Sequence, residues 1–366
     1  MNFLAVLEWI FFTASSLYFI YLLSFLKLLF YNSTNSTPST KDSQFVSVLI
    51  CAKNEAKNLQ LHLPIILKQN HPHFEVVVVN DQSSDNTLQV LESFQKNYAH
   101  LKVFTTTEKS SKKKALALAK KKAQGSVYVL TDADCLVNST TWLTIMVSEI
   151  QKESQVVLGY APHFTKSYFL NKLQRFETLT TALQYFTAAL YNAPYMGVGR
   201  NLAYTKQLDK EIKFSKAEKK LLSGDDDLWI QKAKQLTQIK IQLAKHSFAY
   251  SHAEPSLKSW WKQKSRHIST AAHYQFKDQF ILSGIFITKF AFWMSFIAMT
   301  FLSNSESFWM VFSMLCVILL LIYKLASTKL NEAKLWYLSP ILDFSLICFQ
   351  FCLFISNLVS PFRKWK

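Results

Sequence analysis

The chain has 366 residues, half of them hydrophobic, with 41 lysines and arginines against 24 acidic residues and a formal net charge of +17. Such basicity invites a nucleic-acid reading, but no aromatic-studded β platform or recognition helix accompanies it, and attraction to anionic lipid head groups accounts for it more simply. The five cysteines (Cys51, Cys135, Cys316, Cys348 and Cys352) form no Cys-x-x-Cys pair, so they read as free thiols in a reducing compartment.

In chain order, residues 1–31 come first. Over 3–31 the only charges are Glu8 and Lys27, a stretch long enough to cross a bilayer. A cleavable signal peptide is the poorer reading, because there is no basic leading region, the apolar run is too long and no small-residue cleavage site follows it cleanly. Residues 32–44 are Ser/Thr/Asn-rich and read as a linker. A strand at 45–52 follows, then a helix at 55–68, a strand at 74–80 with four successive valines, and a helix at 84–98. A strand at 101–105, a helix at 112–123 and a strand at 126–130 come next, then a helix at 140–152, a strand at 156–160 and a long helix over 167–193. Strands alternating with helices of this length predict an α/β fold of parallel βαβ units with a Rossmann-like sheet. The valine run is too apolar for a one-sided strand and predicts one covered on both faces.

Residues 257–276 form an amphipathic pattern containing Trp260, Trp261, Lys262, Lys264 and Arg266, which predicts an interfacial helix with the tryptophans as membrane anchors. Three further apolar segments at 280–302, 307–326 and 335–360 read as membrane segments. Nearly all the lysines lie between the first and second spans, which places the domain at 45–276 on the cytoplasmic side. The joint at 327–334 and the basic tail at 361–366 also read as cytoplasmic by charge, and 303–306 as external. Strict alternation would put the tail outside, so Pro340 and Asp343 suggest that the last segment is a re-entrant or interfacial hairpin.

The densest chemistry lies at the end of the strand at 126–130. Asp132 and Asp134 are separated by one residue, and carboxylates at the carboxyl end of such a strand lie where α/β sheets bind ligands. Two hard oxygen donors suit Mg²⁺ or Mn²⁺, and a divalent ion suits a diphosphate. A second acidic cluster, Asp225-Asp226-Asp227, opens a helix after Ser223-Gly224. His71-Pro72-His73 precedes a strand and carries no metal-site signature, and no dinucleotide, P-loop or nucleophile-elbow motif occurs.

Taken together, these stretches resemble a membrane-bound family 2 glycosyltransferase, the inverting, nucleotide-sugar-dependent group, over residues 45–275. The resemblance implies a GT-A type nucleotide-sugar-binding domain with one N-terminal and about three C-terminal transmembrane or interfacial segments. Val48 to Glu55 matches the first-strand signature, implying that Ala52, Asn54 and Glu55 hold the nucleoside. The stretch 79–87 matches the second, with Asp81 accepting a uracil N–H. Here Asn80 stands where the family usually has another acid, and the bare chemistry of Asp85 is that of a helix cap. Lys114 begins a Lys-x-x-Ala-Leu helix facing the donor phosphates, where a helix start and an ammonium both favour an anion. Asp132 and Asp134 take the metal-diphosphate role, Asp134 as the more direct ligand. The 225–227 cluster supplies the general base, with Asp225 and Asp226 both candidates because the register is ambiguous. Gly199 and Asn201 resemble the acceptor-side segment. Gln263 to His267 resembles the Gln-x-x-Arg-Trp motif of processive members, with Arg266 on the diphosphate. His267 replaces the tryptophan and puts acceptor stacking and processivity in doubt. The expected partners are therefore a nucleotide sugar, most simply UDP-linked, a lipid or lipid-linked acceptor and the membrane, with no nucleic acid. A processive polysaccharide synthase and a non-catalytic nucleotide-sugar-binding protein stand as the alternatives.

Overall fold

The structure is a computed structural model that describes residues 3–32, 44–107, 111–215, 218, 224–303, 305–332 and 334–359, without the side chains of Asp225 and Ser269. The expected linker lies outside the described residues except at its two ends, and the basic tail lies outside them entirely. The domain is built on a seven-stranded sheet of order β3-β2-β1-β4-β7-β6-β8. Four strands form its parallel half: β1 (Val46–Ala52), β2 (Phe74–Asn80), β3 (Leu101–Thr105) and β4 (Val127–Leu130). Val76 to Val79 of β2 have no exposed surface at all, as the valine run predicts. Helices α3 (Ala56–Leu67), α4 (Thr87–Gln95) and α6 (Trp142–Val147) cover one face of the sheet. Helices α5 (Lys112–Lys122) and α7 (Phe169–Leu190) cover the other, where the apolar core runs on without a break into the membrane helices.

The chain enters this sheet in the middle. Strand β1 pairs with β2 on one side and with β4 on the other, so the order reverses at β1 and the carboxyl ends of β1 and β4 flank a topological switch point. The sheet is mixed rather than wholly parallel. Strand β7 (Leu202–Thr205) runs antiparallel to β4 and β6 (Val156–Leu158), and β8 (Ile239–Ile241) closes the edge beside β6. A separate pair, β5 (Leu136–Val137) with β9 (Ala249–Tyr250), ties the segment after Asp134 to the approach of the amphipathic helix. Short pairings made at long sequence distance leave no local periodicity, so β5, β7, β8 and β9 do not announce themselves in the sequence. Helix α8 (Lys206–Glu211) follows β7, and α9 (Asp225–Ala233) opens on the acidic cluster.

Four helical segments are long and apolar enough to cross a membrane, one near the N-terminus and three at the C-terminus. The first joins α1 (Phe3–Ser24) to the short α2 (Leu26–Leu29); the others are α11 (Phe276–Leu302), α12 (Glu306–Lys329) and α13 (Ser339–Val359). The amphipathic helix α10 spans Leu257–Ala271, capped by reciprocal bonds between Ser256 and Ser259. It therefore ends earlier than expected, and α11 begins earlier. Trp260 is not a lipid anchor. It is buried and stacked on Phe349 of α13, with ring centroids 3.9 Å apart, which docks α10 on the last helix.

The last segment is one continuous helix, not a hairpin. Pro340 falls in its first turn, where a missing N–H costs nothing. Asp343 does not break the helix but is fully buried, ion-paired with Lys289 of α11 at 2.5 Å. It also accepts hydrogen bonds from Tyr18 Oη at 2.7 Å and Trp293 Nε1 at 2.8 Å. Further along α13, Phe351 stacks on Phe290 and Phe354 packs near Phe286. Successive turns of α13 thus meet successively earlier turns of α11. A second buried pair fastens the joint between α12 and α13 to the domain: Arg175 of α7 binds Glu332 at 2.5 Å, and Tyr160 Oη donates to Glu332 at 2.9 Å. Lys329 completes that side by donating to the carbonyls of Leu29 and Tyr31.

The Lys289–Asp343 pair yields a test. Asp343→Leu leaves an ammonium buried without its counter-charge, an expected loss of about 3–5 kcal/mol, read as a lower melting temperature in detergent. Removing both charges in Lys289→Leu/Asp343→Leu should recover most of that loss; equal losses in the two variants would show that the pair does not couple the helices.

Candidate active site

The loops that leave β1 and β2 are laced together before any ligand is considered. Asn54 stands in the left-handed region at φ 58°, accessible to Asn at little cost. Its Oδ1 accepts from the Ser84 N–H at 2.7 Å, and its own N–H donates to Ser83 Oγ at 3.0 Å. Asp85 accepts from the N–H groups of Ala56 at 3.2 Å and Thr87 at 3.0 Å. Its role is thus the capping one. Asp81 is buried at the end of β2. Its N–H donates to the carbonyl of Ala52 at 2.8 Å, Oδ1 accepts from Thr106 Oγ1 at 3.1 Å, and Lys53 Nζ lies 3.4 Å from Oδ2. Asn80, in place of the second acid, turns its side-chain oxygen to the N–H of Ser83 at 3.3 Å. The fold thus uses Asn54 and Asn80 to shape the loop and leaves Asp81 as the carboxylate on its wall. Glu55 sits on the same rim, half-buried. Burial raises its carboxyl, a hydrogen bond from Asn58 opposes that, and the charges of Asp134 and Asp132 add to it.

Asp132 and Asp134 follow β4 across the switch point. Lys112 Nζ lies 2.6 Å from Asp132 Oδ1. Burial would raise the Asp132 carboxyl, but Lys112 and, further off, Arg200 hold it below the usual carboxylate range. The Lys112 side chain is largely exposed, and although some loss of hydration works against its charge, Asp132 and Asp226 outweigh that and hold the ammonium above the usual lysine value. Ser111 caps α5 by accepting the Lys114 N–H, which places Lys112, not Lys114, at the helix end facing Asp132; the Lys114 side chain is exposed. Asp134 shows the opposite balance. Burial and the neighbouring Asp132 push its carboxyl up, against the opposing pull of Arg200 and Lys112. Among the described residues no group of three or more His, Cys, Asp and Glu is placed to hold a metal ion. Asp132 is already paired with Lys112 and Asp134 lies beside it, so these two carboxylates fit a divalent cation only if oxygens of a bound diphosphate complete its coordination.

The loop before β7 brings the second acidic cluster to the same place. The Gly199 N–H donates to Asp226 Oδ2 at 3.0 Å. A Cβ at Gly199 would lie 2.2 Å from that oxygen, so only glycine lets the backbone come this close. Asp226 is half-buried and within electrostatic reach of Cys51 and of Lys112, which itself pairs with Asp132. Asp227 turns away to accept from Tyr274 Oη at 2.5 Å. Asp225 begins the helix, and its side chain lies outside the described residues. Asn201 does not face the crevice at all. It is fully buried, accepts from Trp142 Nε1 at 3.1 Å and donates to the carbonyls of Tyr160 and Ser247, both at 2.8 Å.

Arg200, between those two, is the residue that sequence reasoning passed over. It donates to Ser251 Oγ and to the Ala161 carbonyl, and its charge reaches both Asp132 and Asp134. One signal could have found it: the chain has only four arginines among its 41 basic residues. Helix α10 adds cations at the mouth. Lys264 pairs with Glu177 of α7 at 2.5 Å. Arg266 is half-buried, and His267 is exposed among the charges of Lys264, Arg266, Arg200 and Lys112.

A switch-point crevice walled by Asp81, Asp132, Asp134 and Asp226, on a parallel sheet extended by an antiparallel β7, defines a GT-A type domain. The sequence model for Glycosyl transferase family 2 matches residues 47–213. Glycosyltransferase AglE of Haloferax volcanii is 28% identical over 143 residues, 38% of this chain and 47% of that protein. Poly-beta-1,6-N-acetyl-D-glucosamine synthase of Staphylococcus epidermidis is 28% identical over 134 residues, 36% of this chain and 32% of that one. The chain thus spans less than half the length of these relatives. A solved structure of mannosyltransferase PcManGT from Pyrobaculum calidifontis, in complex with GDP-Man and Mn²⁺, shares the fold at a TM-score of 0.62 and 17% identity, covering 97% of each chain.

The burial of Asn201 makes its role checkable. Asn201→Ala strands the Trp142 indole N–H and two carbonyls, an expected cost of about 2–4 kcal/mol in thermal unfolding. A variant as stable as the parent would return Asn201 to the acceptor-side role that the sequence implies.

Proposed function

We propose that the protein is an inverting glycosyltransferase that moves a sugar from a nucleotide sugar to a lipid or lipid-linked acceptor at the cytoplasmic face of a membrane. One observation carries this reading: the Asp226 carboxylate, fixed by the Gly199 N–H, lies within electrostatic reach of the Lys112 that pairs with Asp132. A base and a diphosphate-binding end are thus coupled through Lys112, which a module that only binds does not need. In this reading Asp226 takes the proton of the acceptor hydroxyl as its oxygen bonds to the anomeric carbon. The bond from that carbon to the diphosphate breaks on the opposite face, and its electron pair leaves with the nucleoside diphosphate. Lys112 and Arg200 lie where negative charge grows on the leaving group. Arg266 and Lys114 are carried as further diphosphate contacts, and His267 with Gly199 as acceptor-side positions. A divalent cation on Asp132 and Asp134, Mg²⁺ or Mn²⁺, would supply Lewis-acid neutralisation of the same diphosphate.

Asp81 is the proposed contact to the base, with Ala52, Asn54 and Glu55 forming the nucleoside rim. A carboxylate accepts an N–H from uracil or from guanine; we take the donor as UDP-linked and make the guanine nucleotide a comparison arm. The lipid character of the acceptor is supported by the apolar core continuous with the membrane helices and by the docking of α10 on α13.

The test uses full-length protein in detergent with UDP-sugars and GDP-mannose, membrane lipid extract as acceptor source, and Mn²⁺ or EDTA. Metal-dependent release of one nucleoside diphosphate, lost in Asp132→Asn/Asp134→Asn, is expected. Asp226→Asn should lower turnover by about 10²–10⁴-fold while donor binding persists; the larger loss appearing in Asp225→Asn would move the base to that residue. Gly199→Ala, which pushes the Asp226 carboxylate aside, should lower turnover by about 10²-fold. Donor binding without release under every condition would favour the non-catalytic alternative, and long products would favour the processive one.

A further inference from the structure

We infer that the joint between α12 and α13 carries a binding site for the phosphate of an anionic phospholipid headgroup, separate from the nucleotide-sugar crevice. The joint and the domain flank an open surface depression of about 280 Å³, lined by Lys245 from the domain and by Lys334, Ser327, Asn331 and Trp336 from the membrane side. Lys245 and Lys334 are exposed, and neither forms an ion pair among the described residues. Glu332 also lines the depression, but its carboxylate is already neutralised by Arg175 and bonded by Tyr160. The net charge presented is therefore positive. Ser327 is buried and its hydroxyl has no protein partner, whereas the Asn331 amide donates to Tyr250 Oη at 3.3 Å. Two unpaired ammonium groups and a spare hydroxyl match a phosphate, which is acceptor-only and carries negative charge.

The place favours a lipid as the source of that phosphate. The joint lies where α12 and the first span end, beside the domain, as the bonds from Lys329 to Leu29 and Tyr31 show. Trp336 is a residue type that settles at headgroup level, and Lys324 of α12 lies over its ring at 5.4 Å. Basic pockets between membrane helices on the cytoplasmic side attract anionic headgroups. The Arg175–Glu332 pair next to the depression links this site mechanically to α7, so a bound headgroup would brace the domain against the bilayer.

The experiment is native mass spectrometry of the full-length protein in detergent, titrated with phosphatidylglycerol, phosphatidylcholine or inorganic phosphate. One phosphatidylglycerol per protein is expected, with phosphatidylcholine held about tenfold less well or weaker. Lys245→Ser/Lys334→Ser should abolish that preference, Lys245→Arg/Lys334→Arg should keep it, and Lys258→Ser/Lys262→Ser on the exposed face of α10 should leave it unchanged. Displacement by millimolar inorganic phosphate would support the phosphate site and assign it to the free ion instead of a headgroup. Equal retention of both lipids by the wild type, or a preference unaffected by loss of both lining lysines, overturns the inference. The wild-type lipid series decides even if the serine variant fails to fold. Because no nucleotide sugar enters the assay, its outcome is independent of the transfer reaction.

Discussion

Everything at the candidate site depends on β1 pairing in parallel with two neighbours at once. Parallel pairing with β2 and β4 sets Ala52, Asp81 and Asp132 at one edge of the sheet, although 80 residues separate the first from the last. Burial on both faces makes a one-residue slip expensive, because it would turn apolar side chains of β1 and β2 out of register with both layers. The register is therefore fixed by the core, and the carboxylates inherit their positions from it. Antiparallel β7 then folds the Gly199 loop back over the same edge, which is how an acidic cluster far along the chain meets the first one.

Charge in this molecule is sorted by residue type. Lysine supplies the diffuse basicity, whereas three of the four arginines occupy defined places: Arg175 in a buried pair, Arg200 beside the two carboxylates, and Arg266 half-buried on α10. A planar guanidinium holds two bonds in fixed geometry and is more weakly hydrated than an ammonium, so it suits sites where orientation must survive desolvation. The buried pairs Arg175–Glu332 and Lys289–Asp343 are better understood as fixing how helices meet than as net stabilisers, since desolvation offsets much of their attraction. The first sets the domain against the α12–α13 joint. The second sets α13 against α11 and α1.

Much was legible beforehand because it is local. The two-faced burial of β2, the alternation of strands and helices, the four apolar segments and the pair Asp132/Asp134 are each written into a short window. That Asp85 would accept a backbone N–H at the start of α4 was legible for the same reason. What escaped was non-local: the antiparallel strands β7 and β8, the small β5–β9 pair, and the single-helix form of the last segment. Pro340 and Asp343 look like helix-breaking features in isolation. They are not, because proline is harmless in a first turn and a distant lysine, tyrosine and tryptophan answer the aspartate.

The sequence by itself determined the α/β core, the family resemblance of the 47–213 segment and the existence of four membrane-length helices, since periodicity, strand-end carboxylates and apolar length act over a few residues. Tertiary structure alone decided that Lys112 rather than Lys114 meets Asp132, that Asp226 rather than Asp227 accepts the Gly199 N–H, that Asn201 is a buried brace, and that Trp260 packs on Phe349. Each of these turns on which way a side chain points after distant segments close, and that direction is set by packing, not by the neighbours in the chain.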